Sequence, residues 1–150
     1  MKTNLKKWIN EGRLHSHETN KQEIDNLFKL VELDIKDAKI KQLSTDRRFA
    51  TAYNAALQLA TILLHAGGYR VKSSTGHHWV TILSIPEIMG PEEKERADYF
   101  NACRAKRNVT DYDREGEISE SATEELIHEV ITFRHEVLQW LKSQHSGRFT

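Results

Sequence analysis

The two prolines of this chain, Pro86 and Pro91, stand almost side by side and leave the rest of its 150 residues unbroken. Proline deletes a backbone donor and clashes with the preceding helical turn, so a chain that confines it to one place is free to run in long helices. The apolar spacing predicts that it does. From about Asn20 to Lys41, Ile24, Leu27, Phe28, Val31, Ile35 and Ala38 recur at intervals of three and four, the period of a helix with one buried face. Thr19 and Gln22 have the form of a capping box before it. Leu30 and Leu33 widen the stripe, so this helix is expected to touch more than one neighbour. A second helix is expected from about Thr45 to Ala66, with the densest apolar face of the chain: Phe49, Tyr53, Leu59, Leu63 and Leu64, interleaved with small alanines that let another helix approach. Gly67-Gly68 supplies its stop. A last long helix is expected from about Ala122 to Ser143, capped by Ser121 with Glu124 and apolar along Leu126, Val130, Phe133, Val137 and Trp140/Leu141.

Shorter elements fill the gaps. Asn4 to Arg13 is amphipathic, with Leu5, Trp8 and Ile9 on one face. Arg70 to Gly76 reads as a polar loop. His77 to Met89 has the composition of a strand or a short helix, and Gly90-Pro91-Glu92-Glu93, one helix ending and another beginning, selects the helix. A further helix is expected over Glu92 to Lys106, then a turn over Asp111 to Glu117. The expected fold class is all-α, an up-and-down bundle of about five to six helices. With 38% hydrophobic and 29% charged residues, there is material for one core, hence one domain over 1–150.

The 22 basic and 22 acidic side chains balance, which argues against a blanket nucleic-acid or membrane-surface binder and leaves room for a local basic patch. One Cys excludes a disulfide framework and a Cys-rich zinc site, and fits a cytoplasmic location. No stretch approaches the ~18 apolar residues of a membrane span. The basic start, Met1 to Trp8, has no apolar run after it and is not expected to be a signal peptide.

The chemistry concentrates in Asn101 to Arg114, NACRAKRNVTDYDR. Arg104, Lys106 and Arg107 lie where a helix is expected to end. There, cations complement the helix dipole; alternatively, Arg104 and Arg107, three apart on one face, hold a phosphate in their planar forks with Lys106, Asn108 and Arg114 beside them. His77 and His78 begin the helix after the polar loop. They are either polar contacts at a helix start, or phosphate contacts and a source of acid–base chemistry. Glu125 and His128 have the spacing of half a di-iron site, but no second Glu-x-x-His exists. His15 and His17 are expected to be solvent-exposed, and Cys103 to be a packed residue. No metal ligand set and no cofactor are expected.

A helical bundle with Arg107-Asn108 and a short polar spacer before its final helix resembles the HEPN superfamily. Asp46 to Tyr69 and Gly76 to Gly90 are also similar to the branch in which a helix-rich first half precedes a Lys-Arg-Asn motif. The family signature is Arg, four to six residues, then His. Here Tyr112 stands at the His position, and no His occurs between His78 and His128. The resemblance implies RNA or nucleotide binding, a homodimer with two motifs facing each other, and membership of a prokaryotic toxin–antitoxin or defence pair whose partner is a nucleotidyltransferase or antitoxin. It also implies an alternative, a metal-independent endoribonuclease in which Arg107 steadies the phosphate and a displaced base such as His77 or His78 moves the proton. Tyr112 would donate a hydrogen bond to phosphate or stack on a base, or equally anchor the core through its ring.

Overall fold

The computed structural model describes residues 3–72, 78–112 and 118–149. Its elements are α1 (Thr3–Asn10), β1 (Leu14–Ser16), α2 (Lys21–Ala38), α3 (Thr45–Ala66), β2 (Tyr69–Val71), α4 (His78–Leu83), α5 (Ile85–Met89), a 3-10 turn (Pro91–Glu93), α6 (Lys94–Tyr112) and α7 (Glu120–Gln144). This is the all-α bundle that the apolar spacing predicts, with one small two-stranded sheet added.

The centre is α3. Phe49, Ala52, Tyr53, Ala55, Ala56, Leu59, Ala60, Ile62 and Leu63 are all buried, because α2, α7, α6 and the α4–α5 pair each lie against it. Its alanines allow that crowding. From α2, Ile24, Val31 and Ala38 enter the same core, as do Phe100 from α6 and Leu126, Val130, Phe133, Val137 and Leu141 from α7. A smaller cluster, Leu5, Trp8, Leu14, Leu64 and Val80, seats α1 against α3 and α4. α2 does meet a second neighbour, α7, but not through Leu30 and Leu33. They remain 48% and 55% exposed, because the α3 side of the helix is filled by the other stripe.

The helix ends differ from expectation for identifiable reasons. Asn20 caps α2, its Oδ1 accepting from the Glu23 N–H at 2.9 Å, while the Thr19 hydroxyl is spent on the Glu23 carboxylate. Ser119 caps α7 by accepting from the Ala122 N–H at 3.0 Å; Glu124 is drawn to Arg48 instead of closing a box at Ser121. The first helix stops at Asn10, and Gly12, with φ 76°, turns the chain into β1. The expected polar loop begins with a strand: Leu14 pairs Val71, His15 pairs Arg70 and Ser16 pairs Tyr69, antiparallel. Most consequentially, α6 does not end at Lys106. It runs on to Tyr112, so Asp111 and Tyr112 are helical and not part of a turn.

One charge is buried in this core. Arg48, 1% exposed, donates from Nε to the Ala38 carbonyl at 2.8 Å, from Nη1 to Glu120 at 2.8 Å and from Nη2 to Glu124 at 2.6 Å. It thereby ties the end of α2 to the start of α7. Lys41 joins the same pair of carboxylates from outside. Hydrogen bonds from Lys41 and Arg48 hold Glu124 down from its ordinary 4.5 to about 2. Arg48→Ala should cost about 2–3 kcal/mol in urea unfolding, below the full price of a buried pair because both carboxylates can return to water. A lowered carboxylate stabilises above its ordinary range and loses that contribution as pH falls toward its folded value. Stability should therefore drop between about pH 4.5 and about pH 2, and Glu124→Gln should flatten that drop.

Candidate phosphate-binding site

Because α6 continues past the basic run, Arg104, Lys106 and Arg107 lie within the helix, and its last turn contains no basic residue. The dipole explanation for these cations therefore lapses. What the helix does instead is lay them along α3 and α4. The Arg107 guanidinium stands over the Tyr53 ring, 5.6 Å from its centroid. On the same ring, His78 from the start of α4 packs at 6.5 Å between centroids. Arg104 is steadied by its Nε, which donates to Asn101 Oδ1 at 2.9 Å. One turn earlier on α3, Phe49 underlies the Lys106 ammonium at 5.9 Å.

The structure thus brings together Arg104, Arg107 and His78, which are far apart in sequence, and adds Tyr53, which periodicity reads only as core. Asn108 is exposed on the same helix. Tyr112 is the last residue of α6 and its side chain lies outside what the structure describes, as do His77 and Arg114 altogether. Five residues of helix at about 100° each put the Arg107 and Tyr112 backbone positions about 140° apart around the axis.

The electrostatics of this group are one-sided. Tyr53 is fully buried, and its hydroxyl has no hydrogen-bond partner among the described residues. Burial pushes its phenol up to about 12 against the pull of Arg104 and Arg107, so it stays neutral and is no base at pH 7. Desolvation against its neighbours, then the Arg107 and Arg104 charges, lower His78 from its ordinary value. The residue as a whole is exposed, so water and salt screen these effects. A histidine lowered in this way is neutral and able to accept a proton at pH 7. Cys103, on the same helix, is buried and its thiol is pushed up to about 11, which makes it a packed residue and not a nucleophile.

A HEPN-like family model matches residues 39–138, a span that includes Tyr53, His78, Arg104 and the Arg107-Asn108 pair. The chain belongs to the HEPN family. It has no significant match to a curated protein or to a solved structure. Within the HEPN span, α6 and α4 supply the Arg104–Arg107–His78 group and α3 supplies the Tyr53 ring it packs on.

A second polar cluster joins the HEPN span to the residues before it, and sequence reasoning missed it. His17, expected to be solvent-exposed, has only 17% of its side chain accessible and places Nε2 2.7 Å from Glu23 Oε1. His65, near the end of α3, places Nδ1 3.0 Å from the same oxygen. The two imidazoles lean together at 4.7 Å between centroids. Burial alone would raise Glu23, but hydrogen bonds from Thr19 and His17 and the neighbouring imidazoles hold it below its ordinary value. Burial lowers His65, partly opposed by Glu23. No single-sequence spacing signals this cluster, because His17 and His65 meet only through the β1–β2 pairing. Glu125 and His128, by contrast, are both exposed.

The His78 shift has a direct check. In an NMR titration of the imidazole signals, His78 should titrate below its ordinary 6.5. Arg107→Ala should move its midpoint back up, and added salt should move it the same way.

Proposed function

We propose that this HEPN chain binds RNA, or the phosphate of a nucleotide, through Arg104 and Arg107 of α6, with Lys106 and Asn108 flanking them and Arg114 contributing from beyond. The observation that carries the reading is the convergence of the two guanidinium groups over one helix face in a chain of no net charge. Planar forks recognise the paired oxygens of a phosphate. The Tyr53 ring backs Arg107 from below, which fixes the fork and restricts it to fewer geometries than a free surface arginine has. The partners expected from the family resemblance, a second copy of the chain and a nucleotidyltransferase or antitoxin, belong to the same proposal, as does a role in a prokaryotic toxin–antitoxin or defence pair.

A second reading, a metal-independent endoribonuclease, is favoured by one observation: a histidine with a lowered pKa stands beside the two arginines. In it, His78 takes the proton of the ribose 2′-hydroxyl as that oxygen attacks the neighbouring phosphorus. Arg104 and Arg107 neutralise the charge that builds on the phosphate, the 5′-oxygen leaves with a proton from solvent, and a cyclic phosphate end remains. His77 and Tyr112 are the remaining candidates for proton work.

Both readings are tested with end-labelled structured RNA in EDTA. Binding at low salt should be retained by the wild-type chain and weakened about 10-fold to 100-fold by Arg107→Ala, the usual worth of a charged hydrogen bond. Each lost phosphate contact should also flatten the salt dependence. Cleavage to cyclic-phosphate ends that vanishes in His78→Ala with binding intact would establish the second reading. Failure of the wild-type chain to retain RNA at low salt would overturn both.

A further inference from the structure

The strongest unassigned chemistry lies away from α6, at the other end of the α2–α3 pair. The short connection between these helices makes them antiparallel, so the start of α2 meets the end of α3. Asn20 caps α2 and fixes Glu23 in its first turn. After α3 the chain turns through Gly68, which has φ 97°, and β2 then pairs with β1. That pairing carries His17 past the turn, where its N–H donates to the Gly68 carbonyl at 2.9 Å. His17, Glu23 and His65 are therefore held by three separate elements and face one point, their ligand atoms all within 4.8 Å of one another.

The contact between His65 and Glu23 is unusual. Nδ1 of His65 is buried, and its direction to Glu23 Oε1 is not that of a hydrogen bond, so it has no hydrogen-bond partner among the described residues. His65 itself is only 9% exposed. The same carboxylate oxygen already receives the Thr19 hydroxyl at 2.5 Å and lies 2.7 Å from His17 Nε2. Nδ1 and Oε1 stand 3.0 Å apart without hydrogen-bond geometry, so the pair attracts only with a proton or a metal cation between them. We propose that His17 Nε2, Glu23 Oε1 and His65 Nδ1 form a binding site for a divalent transition metal ion, zinc foremost.

Two imidazoles and one carboxylate are a donor set suited to zinc, which takes nitrogen at about 2.0–2.1 Å and carboxylate oxygen at about 2.0–2.2 Å. Ligands of a tetrahedral ion with such bonds stand about 3.3 Å apart. The two distances to Glu23 Oε1, 2.7 and 3.0 Å, would open by a few tenths of an ångström, and the two imidazole nitrogens, within 4.8 Å of each other, would settle to the same spacing. Thr19 is placed to orient the carboxylate as an outer partner, the role such hydrogen bonds play around bound metals. Three protein ligands leave a fourth position, and a surface pocket of about 410 Å³ opens on Glu23 and His65, with Arg70 at its wall. That position would hold a water or an anion that Arg70 can face. The metal clamps the loop before α2 onto the end of α3, tying residues ahead of the HEPN span to the span itself.

The test is equilibrium dialysis of the EDTA-stripped chain against zinc, with cobalt absorption as a second readout of coordination. The expected result is one equivalent bound at micromolar or lower free zinc, a higher melting temperature, and the visible bands of tetrahedral cobalt. Glu23→Gln and His17→Ala, each checked for native helix content by circular dichroism, should weaken binding beyond the ~10–100-fold typical of losing an outer partner. His15→Ala, altering an exposed neighbour, should leave the stoichiometry unchanged. His17 is the part-exposed ligand, so its variant stays informative even if changes at buried His65 prevent folding. No saturable zinc uptake by the wild-type chain, or uptake equal in wild type, Glu23→Gln and His17→Ala, would overturn the proposal.

Discussion

A helix buried on most of its sides must answer the polar groups it carries inward, and α3 is such a helix. Most of its residues are apolar and impose no condition beyond close packing. Three of its buried residues carry polar groups: Arg48 in its first turn, Tyr53 a little further on, and His65 at its end. Each marks a place where other elements had to be brought in. Glu120 and Glu124 at the start of α7 answer Arg48. Glu23 from α2 and His17 from the preceding loop gather at His65. Tyr53 lies beneath Arg107 and His78. The buried polar groups of α3 thus account for three of the places where helices meet; Arg96 with Glu136, and Arg134 with Glu32, join helices apart from it.

The three places along α3 differ in kind. At Arg48 the charge is fully answered, with a backbone carbonyl and two carboxylates around one guanidinium, and nothing in that arrangement asks for a ligand. At Tyr53 two cations and an imidazole gather over one ring: Arg107 stands on its face, His78 packs beside it, and Arg104, held by Asn101, lies close enough to act on its phenol. Guanidinium groups gathered over an aromatic floor offer an incoming phosphate planar forks held in place. At His65 the arrangement lies between these cases: one carboxylate oxygen is shared among three polar groups, one of which is badly aimed.

The helices were legible in the sequence because their information is local. Ile24, Val31 and Ala38 recur at the helical period and are buried as that period demands, and Thr45–Ala66 has the bounds read from its composition. Arg107-Asn108 and His78 were conspicuous in the sequence as chemistry, but their meeting on the Tyr53 ring, where Arg107 and His78 both pack, was not. Two things were not legible. The end of α6 depends on residues with weak and conflicting propensity, Asn108, Thr110 and Asp111, where turn and helix compete closely. The His17–Glu23–His65 cluster depends on two strands of three residues each, too short to show alternation, so the residues that pair across them carried no pattern to read.

The extension of α6 changes what the family motif can mean in this chain. Were Lys106 the end of the helix, the segment holding Tyr112 could fold back toward Arg107. With helix through Tyr112, the two backbone positions diverge around the axis, and a contact between the motif's ends within one chain becomes harder to form. A histidine already stands on the arginine side, contributed by α4. In the ribonuclease reading proposed above, α6 would supply charge through Arg104 and Arg107, while α4 would supply the group that exchanges a proton. Tyr53, with its phenol pushed up by burial, packs against both groups and stays neutral.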